Sequence, residues 1–90
     1  MLAEVIRQAE AITYERGFRP EMLWLGRQAE MEVYRLSATD RMDSWVSFTA
    51  EPVLFGMQLN GDNYLPPDVW RLADRYGTLL YDCREGKFVA

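Results

Sequence analysis

Apolar positions recur every three or four residues from Leu2 to Arg16. Leu2, Val5, Ile6, Ala9 and Ile12 share one side of a helical period, and Glu4, Arg7, Gln8, Glu10 and Glu15 fill the remaining arc. The spacing predicts an amphipathic helix. Gly17 suits its C-terminal cap, and Arg16 complements the end of its dipole. Pro20 disfavours helical backbone at Arg19, so the chain breaks there. Met22-Leu23-Trp24-Leu25 is a short apolar run closed by Gly26, the pattern of a buried strand. Arg27 to Leu36 supports two readings. Its residues are good helix formers, yet Met31, Val33 and Arg35 alternate with Glu32, Tyr34 and Leu36 as in a strand. Propensity favours the helix. Ser37 to Asp43 is polar and reads as a loop.

In the second half, Ser44 to Thr49 alternates as a strand, and Glu51-Pro52 interrupts it. Val53 to Leu59 reads as a further strand with a bulge at Gly56, and Asn60-Gly61 as a tight hairpin turn. Pro66-Pro67-Asp68 has the look of a first helical turn. Val69, Leu72, Ala73 and Tyr76 then form a buried stripe, with Gly77 as the stop. Thr78 to Cys83 and Lys87 to Val89 are expected to be strands, joined by the loop Arg84-Glu85-Gly86. The expected architecture is α+β in a single domain over residues 1–90. Two or three helices would pack on one face of a mostly antiparallel sheet of about four or five strands.

Composition narrows the function. The chain has 90 residues, 49% of them hydrophobic, which suits one globular core rather than a disordered tail. No apolar run is long enough for a transmembrane helix, and no secretion signal is apparent, so a cytoplasmic protein is expected. There is no histidine, which removes imidazole bases and ligands. The single cysteine, Cys83, allows no internal disulfide and is read as structural. Asp40, Asp43, Asp62 and Asp68 are read as loop and capping acids rather than cation ligands. No cofactor and no catalytic residue are assigned. Of ten basic residues all but Lys87 are arginine, and they are scattered through a chain of net charge −4, which argues against nucleic-acid binding.

The aromatic residues, at 13%, carry the positive signal. On the helix expected after Pro66, Trp70 falls off the buried stripe and Arg71 lies on the solvent side. Tyr34 and Tyr64 lie in or beside loops. Trp, Tyr and Arg are enriched at interface hot spots, so Trp70, Arg71, Tyr64 and Tyr34 are the candidate partner-binding residues. The expected partner is another protein or a second copy of the chain, with no membrane contact. Two other classes are weighed: a small-molecule-binding domain with an aromatic-lined pocket, and a carboxylate- or metal-dependent enzyme.

The pattern Pro20-x-x-Leu23-x-Leu25-Gly26, followed later by Phe55-Gly56-Met57, resembles small α+β domains of bacteriophage and prophage structural proteins. The likeness covers roughly the first two thirds of the chain. It implies a non-enzymatic assembly or interaction component, one form of which is an inhibitor of a host protein. No functional residues are carried over from it.

Overall fold

Helix α1 (Leu2–Arg16) forms where the apolar spacing places it. Val5, Ala9 and Ile12 are buried, and the Gly17 amide closes the helix by donating to the Thr13 carbonyl at 3.0 Å. The structure is a computed structural model that describes residues 2–39, 46–47, 53–54 and 56–87. Strand β1 (Met22–Leu25) follows, then helix α2 (Arg27–Thr39). The helical reading of Arg27–Leu36 therefore holds. The helix runs through Thr39, beyond the expected loop start at Ser37, and the remainder of that loop lies outside the described residues.

Strand β2 (Val46–Ser47) falls inside the strand expected over Ser44–Thr49, whose other residues lie outside the described ones. The run from Val53 to Leu59 is not one bulged strand. It divides into β3 (Val53–Leu54) and β4 (Met57–Gly61), paired as an antiparallel hairpin with Leu54 opposite Met57. Asn60-Gly61 does not turn. Both residues belong to β4 and pair in parallel with Trp24 and Leu25 of β1. Glycine serves a different purpose at position 61. A Cβ there would collide with the Glu30 carboxylate of α2.

The helix expected from Pro66 to Tyr76 is absent, and its place is taken by strand β5 (Trp70–Ala73). In a helix the Pro66 and Pro67 carbonyls would accept from the amides four residues on. Here the Pro66 carbonyl accepts from Val69 at 3.0 Å, closing a turn, and the Pro67 carbonyl accepts from Ala29 in the first turn of α2 at 2.9 Å. The Trp70 amide meets the Cys83 Sγ at 3.4 Å. The apparent helical stripe was a coincidence of spacing: Leu72 satisfies both periods, but Trp70 pairs with it in the two-residue alternation. Tyr76, assigned to the buried stripe, is 84% exposed in a hairpin turn. That turn is held by Asp74, whose Oδ1 accepts from the Tyr76 and Thr78 amides, each at 2.9 Å.

Strands β6 (Leu79–Asp82) and β7 (Gly86–Lys87) complete the sheet. Asp82 pairs with Gly86, so the connecting turn is Cys83-Arg84-Glu85, one residue earlier than expected. The strand order is β2-β3-β4-β1-β5-β6-β7, with β1/β4 parallel and the other pairs antiparallel. The α+β class and the mostly antiparallel sheet thus hold. Four longer strands, β4-β1-β5-β6, form its centre, and short strands extend both sides.

Both helices cover one face of this sheet. Val5, Ala9 and Ile12 of α1 and Ala29 and Val33 of α2 join one cluster with Leu23, Leu25, Met57, Leu59, Trp70, Leu72 and Leu80. Trp70 is therefore core, 4% exposed, with its ring stacked on Tyr81 at 5.3 Å. The sequence-based placement of Trp70 on a solvent-facing helix is corrected by the strand geometry. We expect Trp70→Ala to lower unfolding free energy by about 3–5 kcal/mol, the usual cost of emptying a large aromatic site. Urea denaturation checks this, and an unchanged midpoint would place the ring outside the core. Gly26→Ala should cost about 1–3 kcal/mol, because its Cβ would collide with the Pro66 and Pro67 carbonyl oxygens.

Candidate functional site

Strand alternation divides the sheet into two chemically different faces. Leu23, Leu25, Trp70 and Leu72 point to the helices. Met22, Trp24 and Arg71 necessarily point the other way, as do Gln58 and Asn60 of β4, which pair with Met22 and Trp24. These five are half-buried, and neither helix covers them. Trp24 and Arg71 are directly opposite across the β1/β5 ladder. Together with Asp62, Leu65, Gly77 and Leu79 they line a recess of about 160 Å³.

Asp82 organises this face. It is 2% exposed, yet no oxygen is left unsatisfied. Its Oδ2 accepts from Arg71 Nε at 2.6 Å, and its Oδ1 accepts from the Arg84 and Glu85 amides at 2.8 and 3.1 Å. One carboxylate therefore fixes both the guanidinium on β5 and the β6–β7 turn. Burial alone would push the Asp82 carboxyl up. The Arg84 amide, the Arg71 guanidinium and the Glu85 amide outweigh that effect and hold it below the ordinary aspartate value.

Beyond β4 the recess is lined by Asp62 and Leu65, which belong to the loop from Asp62 to Val69. Asp62 opens it as an Asx turn, its Oδ1 accepting the Tyr64 amide at 2.8 Å. Tyr64 lies between two recess-lining residues and is 98% exposed. The loop is tied to the β6–β7 turn by the Arg84–Asp68 ion pair at 2.5 Å. Asp62 and Asp68 thus act as turn and ion-pair acids. No group of three or more Cys, Asp or Glu residues converges as a metal site among the described residues, and Asp40 and Asp43 lie outside them.

Of the four residues selected from the sequence, Arg71 lines this recess, and Tyr64 stands solvent-exposed on the adjoining loop between the lining residues Asp62 and Leu65. Trp70 faces the opposite side of the sheet and is removed as a contact residue by its burial. Tyr34 lies on α2, on the helical side, and not in a loop. The sequence did not single out Trp24, because an unbroken apolar run shows no alternation between faces. It also missed a separate aromatic pair, Phe18 and Tyr76, which line another recess with Glu21, Asp74 and Arg75. There Arg16 lies over Phe18 at 5.3 Å and Arg75 over Tyr76 at 6.0 Å. Cys83 is a free, half-buried thiol packed against the core, in keeping with a structural role.

Comparison of the chain with protein-family models, curated proteins and solved structures finds no match. No helix of the described residues is long and apolar enough to cross a membrane.

The lowered Asp82 carboxyl sets a pH dependence. Its ionised form is favoured by folding, so its contribution is complete above the unfolded aspartate value of about 3.9 and is lost as pH falls through the lower folded value. Asp82→Asn should cost about 1.5–3 kcal/mol at neutral pH, the range for hydrogen bonds to charged groups. Urea midpoints for wild type and variant should stay separated above about pH 5 and converge below about pH 4. A separation independent of pH would show that the charge of Asp82 does not contribute.

Proposed function

We propose that this chain is a small, non-enzymatic protein-interaction domain whose contact surface is the helix-free face of the sheet around Trp24, Arg71 and Tyr64. The observation that supports this reading is a recess lined by Trp24 and a positioned Arg71, flanked by a loop that carries Tyr64, a fully solvated aromatic. These are the residue types that dominate interface energetics. Arg71 is suited to the task because Asp82 orients it before any partner arrives, which reduces the ordering cost of association. The partner is another protein or a second copy of the chain, and the setting is cytoplasmic. Origin in a bacteriophage or prophage, as a structural component or as an inhibitor of a host protein, rests on the sequence resemblance alone.

A small-molecule pocket is the second reading, favoured by the aromatic wall. The recess at Trp24, about 160 Å³, is smaller than the roughly 300–1,000 Å³ typical of such sites, and the Phe18–Tyr76 recess, about 300 Å³, only reaches the lower end of that range.

Tyr64→Ala is expected to weaken association by about 2 kcal/mol, a hot-spot magnitude, and to leave the melting temperature unchanged, since the ring touches no core residue. Sedimentation of the purified chain reports self-association. Quantitative capture, with a photo-crosslinking residue at position 64, reports a foreign partner. A partner or dimer held equally well by wild type, Tyr64→Ala and Trp24→Ala would move the contact surface elsewhere.

A further inference from the structure

The lining of the recess at Trp24 defines what fits it. One guanidinium, Arg71, and one carboxylate, Asp62, line it, so its charges balance. Arg71 gives its Nε to Asp82 at 2.6 Å, and its Nη groups bond no other described residue. Asp62 accepts the Tyr64 amide on Oδ1 and has no ion-pair partner among the described residues. The recess thus offers both N–H donors and a carboxylate acceptor. An uncharged group that accepts and donates satisfies the two together, as a hydroxyl does. Trp24, Leu65 and Leu79 supply aromatic and aliphatic wall, which suits a ring. About 160 Å³ is room for one side chain rather than a whole metabolite. A tyrosine meets all of these conditions.

Such a side chain stands next to the recess. Tyr64 is 98% exposed on the loop between Asp62 and Leu65, both of which are lining residues, and its own ring lies outside the recess. A projecting group and a recess side by side on one surface are self-complementary. A two-fold axis running between them lays the projection of each copy over the recess of the other. Two-fold pairs are the commonest oligomers of identical chains, and their contacts are reciprocal in this way. Tyrosine is also among the residue types that anchor such contacts once buried.

We propose that the chain forms a two-fold symmetric dimer in which Tyr64 of each copy enters the Trp24 recess of the other, with its hydroxyl between Arg71 and Asp62. The proposal rests on reading the helix-free face as an interaction surface, and it commits that surface to a second copy of the chain.

The test sediments the full chain at physiological ionic strength, where repulsion between two chains of net charge −4 is screened beyond about 8 Å. Wild type should show a reversible monomer–dimer equilibrium. Tyr64→Ala removes the projection and should weaken it about 30-fold or more. Tyr64→Phe removes one hydroxyl from each of two equal contacts and should weaken it about 3–10-fold. Leu65→Trp fills the recess and should match Tyr64→Ala, with circular dichroism confirming that each variant is folded. An equal mixture of Tyr64→Ala and Leu65→Trp is decisive. The mixed dimer keeps one intact contact and each variant alone keeps none, so the mixture should associate more tightly than either, beyond the statistical effect of mixing. Isotope-filtered NOEs between the Tyr64 ring of a labelled copy and the Trp24 indole of an unlabelled one need no variant and should be present. A wild type monomeric at millimolar concentration, a dimer indifferent to a folded Leu65→Trp, no recovery on mixing, or no such NOE would overturn the dimer. Alongside any of those results, capture of a foreign partner that depends on Tyr64 and Trp24 would leave the interaction surface standing and the second copy wrong. Association that ignores both residues would remove the surface itself.

Discussion

The junction at Gly26 is where the fold is tied together. Strand β1 ends there and α2 begins, with the Gly26 carbonyl accepting the Glu30 amide at 2.9 Å as the first helical bond. The same residue donates its amide to the Val69 carbonyl at 2.8 Å, which fixes the start of β5 against the end of β1. Because Gly26 lacks a Cβ, the Pro66-Pro67 backbone approaches closely enough for the Pro67 carbonyl to cap Ala29. An amide of the first helical turn has no partner within its own helix. Here a distant loop supplies one. Helix α2, the central strand β1 and the antiparallel strand β5 are thus aligned by a single close backbone contact.

That alignment has consequences on both sides of the sheet. Seating β5 beside β1 turns Trp70 and Leu72 toward the helices, where their burial favours the core by roughly 1.5–3 kcal/mol for a side chain of that size. It turns Arg71 outward, beside Trp24. A guanidinium on the helix-free face of a sheet would ordinarily be loosely held. Asp82 prevents this by combining an ion pair with two backbone hydrogen bonds. Removing a charge of this kind from water is costly unless all its acceptors are occupied, and here they are. The group that shapes the recess is therefore also a structural tie for the β6–β7 turn. Change at Asp82 cannot be confined to one of the two.

The proposed interaction surface draws its energy from a different place than the core does. Trp24 is already half-buried by its strand neighbours, and Arg71 is already ordered, so docking would immobilise little of this chain beyond the Asp62–Val69 loop. That loop is braced at Asp62 by its Asx turn and at Asp68 by Arg84. A braced loop presenting a solvated tyrosine, next to a recess that holds a positioned arginine, is a preorganised arrangement, in which affinity is gained mainly by avoiding ordering costs.

Local periodicity alone determined α1, β1 and the α+β class. The helical period of α1, and the shortness of the apolar run bounded by Pro20 and Gly26, were signal enough for these two elements. Helix propensity favoured α2 over the strand reading, since its residues lose little side-chain freedom in a helix, and the structure decided between the two. What the sequence could not decide was how the backbone groups of Pro66 to Val69 would be used. Locally they resemble a helical first turn. In the folded chain they bond to Gly26 and Ala29, some forty residues earlier, and that long-range pairing converts an expected helix into β5. The same cause reversed Trp70 from surface to core and brought Arg71 to the recess. Asn60-Gly61 misled for a related reason: parallel pairing with β1 keeps it extended, and its glycine makes room for Glu30. Tyr64 and Arg71 were singled out from their chemistry alone. That Arg71 would share a recess with Trp24 and Asp62 was not legible, because which face of a strand a residue occupies depends on the register of its neighbours, and register is set by tertiary structure.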